Sequence, residues 1–327
     1  MFFKDSSSYV HYAEIAKNIS EFGFLFTSIL CFILIYLTTF EVTRNFGSYK
    51  YLLLIFPVFG IVFATVEMIV NPNAYSHNAG YIFYTTSRPF HLSQNATAWM
   101  LVFYSGVYSC TISNLAVQFL YRYWAVFDEK RLWIFKGWRF LICFLYSTLF
   151  GFQWGLGAYY LDQVDDYAKS YFELKIMQKF SVDFSDISGF ILVAYDANGS
   201  TRWRNVCCTI NMTFIMVFQY CIILYCAVRM YFEMESKVQI LSPSLRNLHR
   251  QFFKTLVLQV VTPTVTLFVP VTVLIYLPLF DLQLDLPFGI FTSTLSIYPG
   301  MDAIIVMYVV HDYRLAMKSM VQKFTAS

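Results

Sequence analysis

The sequence predicts an all-α membrane protein, a seven-transmembrane helix bundle with its N-terminus outside and its C-terminus inside. Three observations carry this: an apolar composition, seven runs of bilayer length, and an uneven distribution of basic residues. Of 327 residues, 58% are hydrophobic and 13% charged, about half the charged share of a soluble domain. Aromatics make up 20%, with 35 Phe and 25 Tyr. A soluble globule this apolar lacks the polar surface to stay dissolved, and the same figures exclude disorder. The formal net charge is +3, with no run of five like charges, so no basic footprint for nucleic acid exists.

A helix needs roughly 20 mostly apolar residues to cross about 30 Å of hydrocarbon. Seven stretches qualify: Phe22–Phe40, Tyr49–Val70, Ala98–Tyr121, Trp138–Leu161, Val206–Val228, Leu256–Phe280 and Leu286–Val309. None alternates with period two, which argues against a β-barrel and leaves helices as the way to satisfy backbone groups in lipid. Residues 1–21 form a polar outer segment, 22–309 one membrane domain and 310–327 an inner tail. No small-residue cleavage site follows the first apolar run, so the first helix is expected to act as its own insertion signal.

Orientation follows from Lys and Arg. With the N-terminus outside, the inner segments hold 15 of the 23 basic residues, and five of the remaining 8 sit in the long outer loop Asp162–Asn205. Twelve acidic residues then lie outside and six inside.

All seven cysteines fall within spans, so the outer face shows no disulfide framework. Cys207 and Cys208 lie near the outer end of span five, where one could pair, although buried free thiols are the simpler reading. The long outer loop is then held by packing and polar contacts alone. Of four Asn-x-Ser/Thr sequons, Asn198 in that loop is the glycosylation candidate, with a chance sequon as the alternative. Asn211 lies inside a span, and Asn18 and Asn95 lie almost against the membrane.

None of the five His lies mid-membrane, so a zinc-dependent membrane hydrolase has no ligand set here, and no Ser/His/Asp arrangement is suggested. No cofactor is expected. Intramembrane charge is costly and therefore informative. Glu67 stands three residues from the outer end of span two, where it either reaches the interface or orients a polar ligand. Asp302, deep in Tyr298-Pro299-Gly300-Met301-Asp302, has no easy route to water and is expected to accept hydrogen bonds within the bundle.

Span three is the most polar. Tyr104, Tyr108 and Thr111 recur at i, i+4 and i+7 and share a face, either to bind neighbouring helices or to line an outer pocket. Its inner end reads Phe119-Leu120-Tyr121-Arg122-Tyr123-Trp124, where Arg122 is either an interfacial anchor or a functional group. Pro263, Pro270 and Pro278 in span six, and Pro287 and Pro299 in span seven, are expected to bend their helices. After Ser242-Pro243-Ser244, Leu245, Leu248, Phe252 and Leu256 form one stripe, extending helix six inward. In the tail, Tyr313, Ala316, Met317, Met320, Val321 and Phe324 form another, expected to lie along the inner leaflet.

Together these features resemble a G-protein-coupled receptor, and more narrowly a nematode serpentine chemoreceptor of the Str superfamily. The resemblance rests on Phe119–Trp124, His249–Leu256 leading to Gln259 and Pro263, then Pro270, Pro278, Tyr298-Pro299-x-x-Asp302 and Asp312-Tyr313-Arg314. It departs at Ala303, where the family often has Pro, at Tyr121, where an acidic residue is familiar, and in lacking an outer cysteine pair. The resemblance implies a plasma-membrane receptor of sensory cilia. It implies an odorant or other small chemical cue bound between the outer halves of the spans, near Tyr104, Tyr108 and Glu67. It further implies a heterotrimeric G protein engaged at Arg122 and Tyr123, with Asp302, Pro270 and Pro299 in the switch. A ligand-gated cation channel of the insect-odorant type lacks a charged stripe here, and a transporter lacks the internal repeat.

Overall fold

The computed structural model describes residues 6–42, 49–180, 182–238 and 256–325. Seven of its helices are long and apolar enough to cross a membrane. In chain order the elements are α1 (Ser6–Tyr36), α2 (Tyr49–Val70), β1 (Asn73–His77), β2 (Gly80–Thr85), α3 (Gln94–Phe127), α4 (Leu141–Leu161) and α5 (Asp166–Phe180). There follow β3 (Ser188–Val193), α6 (Trp203–Val238), α7 (Leu256–Phe280), β4 (Asp285–Pro287), α8 (Gly289–Val309) and α9 (His311–Thr325).

The helices turn their polar residues inward and leave Phe, Leu, Ile and Val on the rim, as hydrocarbon demands. Leu25, Phe32, Leu149, Phe152, Phe214 and Val265 are all well exposed, whereas the core is built around α3. Gly106 of α3 and Gly151 of α4 let these two helices meet: a Cβ on Gly106 would stand 3.0 Å from the Gly151 carbonyl oxygen. Ser109 then reaches across and donates to the Phe150 carbonyl at 3.0 Å.

Three connections meet at one end in a single antiparallel sheet, ordered β3-β2-β1-β4. Alternation sends Tyr81, Phe83, Phe190 and Leu192 down into the bundle core. Ile82, Tyr84, Ile191 and Val193 point the other way and form a second core with Phe172, Ile176 and Phe180 of α5. The long loop is thus a folded lid. Arg202 binds Asp165 and lies 3.2 Å from Asp196, and Asp285 of β4 accepts from Tyr75 at 3.0 Å, from Lys179 at 2.5 Å and from His77. All seven cysteines are unpaired, with Cys207 and Cys221 on the exposed surface.

The structure departs from the sequence expectations in several places. The helix of span one starts well inside the polar segment, because Ala16 and Ser20 on that extension are buried. Leu286 and Pro287 belong to strand β4, so α8 begins at Gly289 and Pro287 bends no helix. Pro299 opens the α-helical segment Tyr298–Val309, where its missing N–H is not needed, and the break in α8 is the 3-10 turn Leu295–Ile297. In α9, Tyr313 is fully buried and shares a 2.8 Å hydrogen bond with Thr38, so this part of the tail packs on the base of the bundle. The amphipathic stretch from Leu245 to Phe252 lies outside the described residues.

Asp162, just past α4, is fully buried and accepts from Asn205 at 3.0 Å and Tyr81 at 3.4 Å. Burial pushes its carboxyl up to about 7, against the bonds to Asn205 and Tyr81. In the lid, burial raises Asp285, but Lys179, His77 and Tyr75 outweigh it and hold the carboxyl at about 2. The signs are opposite. A raised carboxyl binds its proton more tightly when folded, so the Asp162 contribution falls as pH rises from about 4 to about 7. Asp285 loses its contribution only between about pH 4 and pH 2. The stability advantage of Asp162→Asn over wild type should therefore grow from pH 5 to pH 8 in detergent melts; a constant difference would contradict this account of Asp162.

Candidate functional site

A cavity lies beneath the sheet, where the upper halves of α3, α4, α6, α7 and α8 part. Tyr104, Ser105 and Tyr108 of α3 form one wall, and Trp154 of α4, Met212 of α6 and Ile275 of α7 form others. Tyr81, Phe83 and Phe190 close it from the sheet side. Among the described residues no charged side chain lines it, and it holds about 50 Å³ of free space, room for roughly three to five water-sized atoms at ~10–15 Å³ each.

Tyr104 has its ring stacked between Phe63 at 5.3 Å and Phe83 at 6.1 Å, and its hydroxyl leaves the cavity to donate to Glu67 Oε2 at 2.8 Å. Glu67 is fully buried and does not reach the interface. Its Oε1 accepts from Ser20 of α1 at 3.0 Å and Ser296 of α8 at 2.7 Å. One carboxylate therefore joins α1, α2, α3 and α8.

Tyr108 stands edge-on to Trp154 at 5.3 Å and donates to the Leu267 carbonyl at 3.1 Å. Leu267 lies in a π-turn, Thr264–Phe268, immediately ahead of Pro270. Proline lacks an N–H, and its ring crowds the carbonyl four residues back. A wider turn at Thr266 accommodates that ring, so α7 is weakest where Tyr108 grips it. Thr111 bonds within its own helix, to the Val107 carbonyl at 2.9 Å.

At the opposite end of the bundle, Arg122 Nη1 donates to Gln259 Oε1 on α7, and Gln259 Nε2 donates to Asp302 Oδ1 on α8 at 3.0 Å. Gln259 and Asp302 are 1% and 2% exposed. Arg122 also lies 5.7 Å above the Phe119 ring. Tyr123 meets Tyr225 of α6 edge-on at 5.9 Å. Pro299 is next to Gly60 of α2, where any side chain would overlap its ring, and its carbonyl accepts from Cys31 at 3.8 Å. Asn198 is exposed in the turn after β3, at the sheet end.

The structure thus brings Tyr104, Tyr108 and Glu67 together at one end, and Arg122 and Asp302 at the other, each set completed by residues the sequence reading gave no role. Gln259 and Ser296 are the main ones. The available signal was their cost: an amide or hydroxyl in the middle of an apolar run needs a partner.

A family model described as serpentine type 7TM GPCR chemoreceptor Str matches residues 16–318. The chain belongs to this family. The G-protein coupled receptor str-33 of Caenorhabditis elegans is 34% identical over 316 residues, covering 94% of this chain and 91% of that one. Serpentine receptor class r-10 of the same nematode is 25% identical over 275 residues, covering 83% and 80%. The crystal structure of squid rhodopsin shares the fold, with a TM-score of 0.52 and 12% identity over 99% of this chain and 88% of that one. The chain is a multi-pass G-protein-coupled chemoreceptor and not an enzyme, and the channel and transporter readings are not favoured.

In this receptor, Glu67→Ala removes the shared acceptor of three buried hydroxyls. Hydrogen bonds within bilayers average ~0.6 kcal/mol, so the loss should reach about 2 kcal/mol, against ~0.6 kcal/mol for Ser20→Ala. Detergent melts in which the two variants fall equally would show that Glu67 is no hub.

Proposed function

We propose that a small, uncharged cue enters the cavity beneath the sheet and that its binding releases Arg122 at the far end for a heterotrimeric G protein. The observation that carries this reading is the position of Tyr108. It lines the cavity, yet its hydroxyl holds the π-turn of α7. Eight residues earlier on α7 stands Gln259, which ties Arg122 to Asp302. A ligand that displaces Tyr108 therefore acts on the weak point of the helix that holds the tie.

A ligand shifts the bundle only by its difference in affinity for two arrangements. The free space of about 50 Å³ supplies that difference, since a larger cue fits only if the walls move. Release would occur at two places: the π-turn before Pro270 in α7, and the 3-10 turn Leu295–Ile297 before Pro299 in α8. With the Gln259 bond broken, Arg122 and Tyr123 are the groups placed to meet the G protein. In this reading the sheet and the exposed Asn198 face outward, where glycosylation can occur, and the basic inner turns face the cytoplasm. Sensory cilia are where such a surface meets its cue.

Arg122→Ala should keep surface expression, read by an N-terminal tag stained on intact cells, and lose G-protein activation. Gln259→Leu cuts the tie and should raise basal signalling several-fold. Full signalling with Arg122→Ala would remove Arg122 from the mechanism, and a tag that stains only after permeabilisation would reverse the orientation.

A further inference from the structure

The surface of the cavity beneath the sheet is almost wholly apolar. Phe83, Phe190, Leu274, Ile275 and Leu295 present hydrocarbon alone, and Met212 adds a thioether. Five hydroxyl-bearing side chains also line it, and each has its proton engaged within the protein. Tyr104 donates to Glu67 at 2.8 Å, Tyr108 to the Leu267 carbonyl at 3.1 Å and Ser105 to the Val102 carbonyl at 2.8 Å. Thr292 donates to the Gly289 carbonyl at 2.9 Å, and Tyr81 to Asp162 at 3.4 Å. A hydroxyl has one proton, so a guest obtains one of these only by breaking a bond of the bundle.

Such a wall discriminates by penalty. A hydroxyl, carbonyl or ether oxygen gives up its bonds to water on entry, and leaving one unmade costs more than a made bond gains. An apolar guest gives up none and gains the burial of its surface. Cavities lined in this way stay dry and take up apolar guests.

Six of the lining side chains are aromatic. Sulfur makes favourable contacts with aromatic rings, and a thioether is a weak acceptor that loses little on leaving water. We propose that the cavity selects small molecules that carry no oxygen or nitrogen. Alkanes and thioethers of about three to five non-hydrogen atoms are then preferred over alcohols, ketones and ethers of the same shape. The inference rests on the reading of this cavity as the cue site.

The test uses the purified full chain in nanodiscs and four liquids with equal numbers of non-hydrogen atoms: diethyl sulfide, diethyl ether, 2-butanone and 2-butanol. Binding is read from thermal shifts against free aqueous concentration, and signalling is read separately in cells. Diethyl sulfide should bind about tenfold more tightly than each of the other three. Ser105→Leu and Val271→Phe fill the space from α3 and from α7, and each should abolish the shift with the sulfide. Equal affinities, a preference for any of the oxygen compounds, or no binding by the sulfide overturns the inference. So does a sulfide shift that survives in both variants, because the site is then elsewhere. Signalling evoked by an oxygen compound alone, and lost in the filled variants, would overturn it while keeping the receptor reading. Sulfide-selective binding without signalling would keep it and remove the reading that this cavity controls the G protein.

Discussion

Hydrocarbon offers no hydrogen-bond partner, so a polar side chain placed within the bundle is costly unless it finds one there. This constraint fixes which helices can be neighbours. Glu67 cannot be buried without hydroxyls, and Ser20, Tyr104 and Ser296 arrive from three other helices. Gln259 sits in an apolar run with both ends of its amide engaged, by Arg122 and by Asp302. The two sets of contacts act as clasps at opposite ends of a bundle whose outer face is otherwise interchangeable Phe, Leu, Ile and Val. Dispersion packing fills the space between the clasps but does not choose the pairs that meet.

The sheet end answers a different problem. A receptor cavity needs a roof that stays in place, and this chain builds one without cysteines. The roof is a two-layer fold: one sheet face closes the cavity with Tyr81, Phe83 and Phe190, and the other is covered by α5. Arg202 and Lys179 pin its edges to Asp165, Asp196 and Asp285. Backbone pairing across three separate connections ties the roof together where a covalent bridge could otherwise do so.

The helices were legible because period and length suffice when lipid is the solvent. Tyr104 and Tyr108 were also legible as a shared face, and Asp302 as an inward carboxylate. The sheet was not. Both of its faces are buried, so Gly80-Tyr81-Ile82-Phe83-Tyr84-Thr85 shows no alternation and reads as an apolar run too short for a helix. Glu67 misled for another reason: its place near a helix end suggests a route to water, and only the tertiary arrangement supplies the three hydroxyls that make burial tolerable. Pro287 misled because a strand and a helix entry look alike at a proline. Gln259 was visible all along, but its role depends on which helices flank α7, and sequence alone does not state that.

In the proposed mechanism α7 is a lever gripped by Tyr108 near the cavity and by Arg122 at the other end. Its most direct test is a pulsed spin-label distance between Ala125 on α3 and Val257 on α7, with the receptor free and then bound to a nucleotide-free heterotrimeric G protein. The account predicts that the distance distribution moves outward on G-protein binding, because the Arg122–Gln259 contact has opened. Superimposable distributions in the two states, with the G protein demonstrably bound, would contradict it.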